Sequence, residues 1–337
     1  MKRKVLNRRQ LWRQQKIQSE RLTRAEKINA ELDHAIQDGH LSDEQTGWVI
    51  AHFGKLIDVQ TQTGALIQCH LRQNIEAIVT GDKVAFRESQ DGKGVVTALF
   101  PRISLLARQA GLRQKPMAAN ITQALVVMAK LPVPTPIVLD RYLVALNLLN
   151  LTPVIVVNKA DLLEAADPLF EWLAYYEKCG IKIVRASTKM ENGLAPLLAA
   201  LQDQSSILVG QSGVGKSSLI KKLCQNENIR VGDLSLNSKL GQHTTSTARL
   251  YHLPHGGTII DSPGIRDFGL WPLDYQRLAE GFIEFRPYLG QCRFKDCHHI
   301  NEPQCAIKAA LAEEAISENR YRHYLAFLNE TKQNTHY

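Results

Sequence analysis

Two sequence motifs occur in this chain in an order that restricts how it can fold. Asn158-Lys159-Ala160-Asp161 matches an N-K-x-D pattern, and residues 210–217 match G-x-x-x-x-G-K-[ST] at every fixed position. The first pattern holds the base of a nucleotide and the second holds its phosphates, so both must reach one site. In the usual order the phosphate loop comes first. The reversed order therefore predicts an intact nucleotide site in a circularly permuted chain.

The phosphate loop has the flanks that such a loop requires. Residues 206–209 predict a buried strand and residues 216–223 predict a helix. Glycines allow backbone N–H groups to turn toward the β-phosphate, at the positive end of the helix dipole. Lys216 is expected to reach the β- and γ-phosphates, and the Ser217 hydroxyl to ligate Mg²⁺. The expected contacts are Gly210, Gln211, Ser212, Gly213, Val214, Gly215, Lys216, Ser217 and Ser218.

The N-K-x-D segment predicts guanine as the base. It follows an apolar run at 154–157 that is typical of a buried parallel strand. Asp161 offers two acceptors to the guanine N1–H and 2-amino groups, and adenine would leave this carboxylate unpaired. Polar recognition of this kind discriminates by about 10⁴–10⁵-fold. Lys159 is expected along the base plane, Asn158 against neighbouring loops, and Ser187-Thr188 near guanine O6.

Two further segments are expected to contact the γ-phosphate and the magnesium ion. Asp261 begins a D-x-P-G segment, in which the carboxylate holds Mg²⁺ through water and the Gly264 N–H contacts the γ-phosphate. Residues 241–246 form the candidate first switch and contain two threonines. We favour Thr245 over Thr244 as the magnesium ligand beside Ser217.

The residue after Gly264 has a consequence for catalysis. It is Ile265, where Ras-like enzymes carry the glutamine that orients the attacking water. Isoleucine has no side-chain hydrogen bond, so intrinsic hydrolysis is expected to be slow. His243 is the candidate for positioning water, although a mobile loop or a partner contact explains it equally well. The expected catalytic groups are His243, Lys216 and Thr245.

The net charge is concentrated at one end of the chain. Residues 1–30 contain ten Lys or Arg and two Glu, which accounts for the whole formal charge of +8. A dispersed basic arm suits salt-sensitive contact with a phosphate backbone; the alternative is a solvated tail without a specific role. The arm lacks the apolar core of a signal peptide, and no run of about 18 apolar residues occurs. We therefore expect a cytoplasmic protein without membrane contact.

The sequence predicts four segments: a disordered arm (1–40), an OB-fold β-barrel (41–108), an α/β P-loop domain with permuted motifs (109–285) and a helical zinc-binding module (286–337). The barrel prediction rests on five short β-type runs separated by turn signals, at 48–50, 55–59, 66–69, 84–86 and 95–99. Its alternative is a structural spacer. Beyond it, apolar strands alternate with helical patterns at 137–149 and 168–178. A linker carrying Arg108, Arg113 and Lys115 is expected around 111–116.

The C-terminal segment carries a candidate metal site. Cys292, Cys297, His299 and Cys305 provide three thiolates and one imidazole, which is a closed tetrahedral set for structural Zn²⁺. Free or disulfide-bonded cysteines are the alternative, and disulfides are rare in the cytosol. The remaining cysteines, Cys69, Cys179 and Cys224, are expected to be ordinary thiols.

A helix is expected after the metal site. Its apolar face would carry Tyr321, Tyr324, Leu325 and Leu328, with Arg320, Arg322 and His323 toward the other face. That second face is expected either to meet an acidic partner or to be solvated.

Taken with these motifs, the chain resembles the bacterial small ribosomal subunit biogenesis GTPases (ribosome small-subunit-dependent GTPase A), which are circularly permuted GTPases. The resemblance implies GTP/GDP, the small ribosomal subunit and its 16S rRNA as partners, zinc and magnesium as cofactors, and hydrolysis stimulated by the subunit. It implies a role in late maturation of that subunit, and we expect a monomer. The alternatives are a signalling or metabolic GTPase with protein partners, and a non-catalytic RNA-binding protein.

Overall fold

The structure is a computed structural model that describes most of the chain, namely residues 42–54, 56–72, 75, 77–90, 92–110, 113–164, 166–224, 248–254, 256–261 and 277–334. Its packing divides the chain into two compact units. The first extends to Ile78 and includes Asp82–Pro101, and the second comprises Val79–Gly81 and all residues from Arg102. The predictions for the arm at 1–40, for His243, Thr244 and Thr245, and for Gly264 and Ile265 lie outside the described residues.

The first unit is a closed barrel of five strands: β1 (Gln45–Phe53), β2 (Leu56–Thr61), β3 (Leu66–His70), β4 (Lys83–Glu88) and β5 (Gly94–Leu99). The order is β1-β2-β3-β5-β4, and β4 pairs again with β1. All pairs are antiparallel except β3 with β5. Alternate side chains fill the interior, including Val49, Ile57 and Phe86. The predicted OB-fold barrel is confirmed.

The second unit contains an antiparallel strand pair in the segment that was predicted to be a linker. Strands β6 (Leu105–Ala110) and β7 (Arg113–Ala119) pair from Leu105↔Ala119 to Ala110↔Arg113. Pro116 lies opposite Ala107, next to a register irregularity. A proline is tolerated there because this ribbon has only two strands, both of them edges. The linker prediction was wrong on this point.

The core of the second unit is a six-stranded sheet: β8 (Gln123–Ala129), β9 (Thr152–Asn158), β10 (Lys182–Arg185), β11 (Ser205–Val209), β12 (Arg249–His252) and β13 (Thr258–Asp261). The order is β10-β9-β8-β11-β13-β12; all neighbours are parallel except β12, which is antiparallel to β13. Every residue of β8 is buried, as expected for a parallel strand covered on both faces.

Among the described residues, four helices accompany this sheet: α1 (Pro136–Leu148), α2 (Leu169–Lys178), α3 (Ala195–Leu201) and α4 (Lys216–Leu223). Two begin with a proline in the first turn, Pro136 in α1 and Pro196 in α3, where its missing N–H has no helical partner to lose. Side chains from α3 and α4 join those of the central strands in one apolar cluster, which includes Leu125, Val156, Leu197 and Leu219. The sheet and its helices form the predicted α/β domain.

The C-terminal residues pack on the same unit. They form α5 (Leu278–Gly281), a 3₁₀ helix (Ile283–Tyr288), α6 (Ala306–Ala312) and α7 (Glu318–Asn334). Their apolar cluster includes Val144 and Leu148 of α1. The proposed boundary at 285/286 falls within the 3₁₀ helix, and the domain limits remain a prediction. None of the described helices is long and apolar enough to cross a membrane.

Helix α7 differs from its prediction at two basic side chains. Tyr324 and Leu328 are buried as expected, but Arg320 is also buried. Arg320 forms ion pairs with Asp140 of α1 and Glu284 of the 3₁₀ helix, and His323 contacts Asp140. The acidic partners of these side chains therefore belong to the same chain. Only Arg322 remains exposed, paired with Glu318.

Candidate nucleotide-binding site and metal centre

The predicted nucleotide motifs meet at one edge of the parallel sheet. Asn158 is the last residue of β9, Gly210 directly follows β11, and Asp261 is the last residue of β13. Parallel strands present their carboxyl ends at the same edge, which is where ligands bind in open α/β sheets. The order of strands in the sheet therefore brings the base and phosphate motifs to one edge, although their order along the sequence is reversed.

A buried amide joins the base loop to the phosphate loop. Asn158 is 3% exposed, and its Nδ2 donates a hydrogen bond of 2.8 Å to the carbonyl of Val214. Gly215 follows with φ of +97°, and a Cβ atom there would lie 2.4 Å from Asn158 Nδ2. Only glycine adopts this backbone and permits this approach at low cost. Asn158 was predicted to contact neighbouring loops, and this hydrogen bond shows that one of them is the phosphate loop.

Lys159 extends this junction to a third loop. Its Nζ donates hydrogen bonds of 2.9 Å to the carbonyl of Gly213 and of 2.9 Å to the carbonyl of Leu131, which follows β8. Lys159 itself adopts a left-handed backbone, with φ of 56°. Because its acceptors are backbone carbonyls, no side-chain pattern in the sequence could have revealed them.

Asp161 is held by Ser187, which the sequence places near guanine O6 without indicating this contact. The Ser187 hydroxyl donates a 2.6 Å hydrogen bond to Asp161 Oδ1 and accepts one of 3.1 Å from the Lys189 N–H. That bond from Ser187 lowers the pKa of Asp161 most, with smaller contributions from the charges of Lys189 and Lys159. Asp161 is exposed, whereas Ser187 is buried. The carboxylate is therefore oriented, ionised and accessible, as a guanine acceptor must be. Thr188 is half-buried beside it.

The phosphate loop encloses a cleft of about 370 Å³, lined by Gly210, Ser212, Gly213, Gly215, Lys216, Ser217 and Ser218. The three glycines all have positive φ. Lys216 Nζ donates hydrogen bonds of 2.6 Å to the carbonyls of Gly210 and Gln211, which keeps the ammonium inside the loop. Val214 is buried behind the loop. Such a ring of backbone groups and one ammonium suits a phosphate anion.

The residues expected to hold magnesium fall partly within the described chain. Ser217 lines the phosphate cleft, and Asp261 ends β13, which pairs with β11 directly before that cleft. A hydroxyl and a carboxylate are oxygen ligands of the kind that Mg²⁺ prefers. These two residues fit the ion; Thr245 lies outside the described residues.

The four candidate metal ligands converge at the C-terminal end. Their ligand atoms all lie within 4.8 Å of one another. Cys292 Sγ is 3.8 Å from Cys305 Sγ, and His299 Nδ1 is 3.5 and 3.4 Å from these two sulfurs. A regular tetrahedron with Zn–S of about 2.3 Å and Zn–N of about 2.05 Å has edges of about 3.8 and 3.5 Å. The donor set therefore fits one tetrahedral ion, and all six cysteines of the chain are free thiols.

Outer contacts orient this ligand set. The Ala306 N–H donates to Cys292 Sγ at 3.4 Å, and the Tyr321 hydroxyl donates to the His299 carbonyl at 2.7 Å. Glu302 accepts backbone N–H groups of residues 298, 300 and 301. Burial raises the pKa of Glu302, but these backbone hydrogen bonds outweigh it and lower the pKa to about 2. Contacts of this kind fix ligand geometry in metal sites.

A phosphate loop and a guanine-type base loop that meet on one sheet in reversed chain order define a circularly permuted GTPase. The family model described as RsgA GTPase matches residues 99–271. The chain belongs to the RsgA family of GTPases, and it is a GTP-hydrolysing enzyme.

Curated relatives extend this match over nearly the whole chain. A "Small ribosomal subunit biogenesis GTPase RsgA" of Hahella chejuensis is 46% identical over 332 residues, covering 96% of this chain and 95% of the relative. Its namesake in Chromohalobacter salexigens is 49% identical over 330 residues, covering 96% and 97%.

Solved structures agree with the architecture. YloQ, described as a circularly permuted GTPase, is 27% identical with a TM-score of 0.69, covering 88% of this chain and 97% of that chain. YjeQ from Thermotoga maritima is 30% identical with a TM-score of 0.69, covering 86% and 98%. The predicted family and fold class are confirmed, whereas the roles of individual site residues remain predictions.

Proposed function

We propose that this GTPase acts in late maturation of the small ribosomal subunit, binding the subunit and its 16S rRNA in the GTP form and leaving after hydrolysis. The observation that carries the nucleotide half of this proposal is the hydrogen bond between Asn158 and Val214, which joins the base and phosphate loops into one site. The ribosomal half is supported by relatives 46% and 49% identical that carry the name of small ribosomal subunit biogenesis GTPases.

In this proposal each described site residue has a defined role. Asp161 accepts hydrogen bonds from guanine and is oriented by Ser187. Lys216 and the phosphate-loop N–H groups hold the β- and γ-phosphates. Ser217 and Asp261 would hold Mg²⁺, which would supply positive charge against the phosphates when bound. Three residues outside the described part of the chain are assigned from the sequence alone to the surroundings of the γ-phosphate: Gly264, Thr245 and His243.

The remaining parts are proposed to dock on RNA. The barrel has the fold of many oligonucleotide-binding domains, and the arm carries the net positive charge of the chain. The Cys292 set is proposed to hold one structural Zn²⁺, which supplies folding free energy and no chemistry because four protein ligands close its shell. Ile265 leaves intrinsic hydrolysis slow, so docking is expected to supply the missing order around the water.

The first experiment measures GTP turnover with and without purified small subunits, with large subunits as a control. Stimulation by the small subunit alone is expected. Lys216→Ala should abolish nucleotide binding and stimulation, whereas Lys222→Ala removes an exposed lysine from the same helix and should change neither. Equal turnover under all conditions would instead favour a GTPase acting on other partners.

A separate variant tests His243. His243→Ala should bind GTP and the subunit but hydrolyse GTP slowly. Full subunit-stimulated turnover in this variant would exclude His243 from positioning the attacking water.

A second experiment tests the base site. Asp161→Asn replaces one acceptor by a donor that opposes the guanine N1–H or amino group, so GTP affinity should fall. Xanthosine triphosphate has an oxygen at position 2 and should bind the variant better than it binds the native protein. Unchanged GTP affinity in the variant would remove Asp161 from the base site.

A further inference from the structure

From the loop that connects the metal ligands Cys292 and Cys297, we infer a binding site for one unpaired RNA nucleotide. The base would stack on the ring of Phe294 and the adjacent phosphate would meet Arg293 or Lys295. This inference rests on the proposed function only in naming the small subunit as the source of the RNA. The stacking surface itself is argued from the geometry of the loop.

The loop turns an aromatic ring toward solvent between two cations. Residues 293–296 are all exposed, whereas the flanking cysteines are half-buried. Phe294 keeps 42% of its surface exposed, and the Arg293 guanidinium carbon lies 5.5 Å from its ring centre. A single exposed apolar residue is common on protein surfaces. An exposed ring with one face beside a guanidinium and a lysine next in sequence is the arrangement that stacks bases in single-stranded RNA.

The loop at residues 293–296 is held at several points, so binding a nucleotide would order few additional residues. Both ends of the loop are candidate metal ligands. The Arg293 N–H donates to the Gln304 carbonyl at 3.3 Å, and Arg293 Nη1 lies 3.5 Å from Gln304 Oε1. A preorganised ring loses less entropy on binding than a side chain on a mobile loop.

The charges of the loop favour an anionic ligand. Residues 293–296 carry two positive charges, on Arg293 and Lys295, and one negative charge, on Asp296. The Glu302 carboxylate is already occupied by the backbone N–H groups of residues 298, 300 and 301. A nucleotide satisfies both features of the surface, the apolar ring and the excess positive charge, whereas an apolar protein segment would satisfy only the ring.

The test uses the full-length protein and two probes, purified small subunits and a labelled single-stranded oligouridylate, with duplex RNA as the control. Phe294→Ala should weaken binding of both single-stranded probe and subunit by roughly five- to 150-fold, the range for loss of one stacked base. Phe294→Trp should retain binding. Phe294→Leu keeps apolar area without a π face and should bind as poorly as the alanine variant.

Control measurements separate binding from folding. All three variants should keep the native metal content and intrinsic GTP turnover, because Phe294 lies outside the nucleotide site. Arg293→Ala should weaken RNA binding and make the remaining binding less sensitive to salt. Arg322→Ala removes an exposed arginine of the same module and should do neither.

Native RNA affinity in Phe294→Ala would overturn the inference. Native affinity in Phe294→Leu would also overturn it and would indicate an apolar protein contact. If the native protein binds the oligonucleotide but not the subunit, the proposed function fails and the stacking site stands. If it binds neither, both fail.

Discussion

Replacing Arg320 by methionine should destabilise the second unit strongly. Its guanidinium donates to both Glu284 oxygens, at 2.5 and 3.0 Å, and also contacts Asp140. The side chains of Arg320, Asp140 and Glu284 are 4%, 0% and 7% exposed. Burial by itself lowers the pKa of Arg320, but the hydrogen bonds to Glu284 and the charges of both carboxylates raise it above its ordinary value. The guanidinium is therefore permanently charged within the unit.

The size of the effect follows from the charges that would be left behind. Arg320→Met leaves two buried carboxylates without the cation that they share, and breaking a buried ion pair costs about 3–5 kcal/mol. A unit of this size loses roughly 2–4 °C in Tm per kcal/mol. The expected fall in Tm is therefore roughly 6–20 °C.

The assay is thermal unfolding followed by circular dichroism at fixed metal and nucleotide concentration. Arg322→Ala provides the matched control, because its pair with Glu318 is 66% and 70% exposed and such pairs contribute at most about 1 kcal/mol. Combining Arg320→Met with Asp140→Asn and Glu284→Gln removes the charges together and should restore much of the Tm. Similar losses for Arg320→Met and Arg322→Ala, or no recovery in the triple variant, would refute the electrostatic explanation.

Three further variants test the metal and nucleotide sites. Cys297→Ala should release zinc, detected by elemental analysis, and destabilise the C-terminal module while GTP binding persists; native protein free of zinc would contradict the site. Ser187→Ala should raise the pKa of Asp161 toward its ordinary value, because the hydrogen bond that lowers it is removed. When GTP affinity is measured at decreasing pH, the variant should therefore lose affinity at a higher pH than the native protein. Gly215→Ala should weaken GTP binding, because its Cβ would strike the base-loop amide. Gly180→Ala has a similar φ of +81° but open space around it, so equal effects on GTP affinity would exclude the clash.

The sequence predicted elements that local patterns determine. All five barrel strands coincide with predicted β-type runs, because alternating burial and turn residues lie within a few positions of each other. Helices α1 and α2 begin and end within one residue of their predicted ranges. The phosphate and base loops were recognisable because their chemistry demands particular residues at fixed spacing.

Contacts between distant segments were not predictable in the same way. A helical projection placed Arg320 away from the apolar face, but its burial depends on Asp140 and Glu284, which only the fold brings near. Ser187 was expected near guanine O6, but its hydrogen bond to Asp161 was not predicted because Asp161 lies on another loop. The pairing of β6 with β7 was missed because the glycine at position 111 and the proline at position 116 are equally typical of a linker.

The permuted order has a structural consequence for the site. In the usual order, the strand that ends in Asn158 would come after the switch segments, so the chain would return to the sheet after them. Here β13 is the last strand of the sheet among the described residues, and the next described element is α5, which leads into the metal module. A chain cut at a surface connection keeps its core, so the site survives the rearrangement.

Helix α1 and the loop before it contact both the base loop and the C-terminal module. The loop before α1 supplies the Leu131 carbonyl to Lys159 at the base loop. Near its other end, Asn147 Nδ2 donates a 2.8 Å hydrogen bond to the carbonyl of Gly281 in α5, and a Cβ on Gly281 would lie 2.6 Å from a Val144 methyl. Close packing of this kind transmits displacement instead of absorbing it. Within the described residues, α1 with the loop before it therefore contacts both the base loop and the C-terminal module, and the ion pair of Arg320 with Asp140 joins α7 to the same helix.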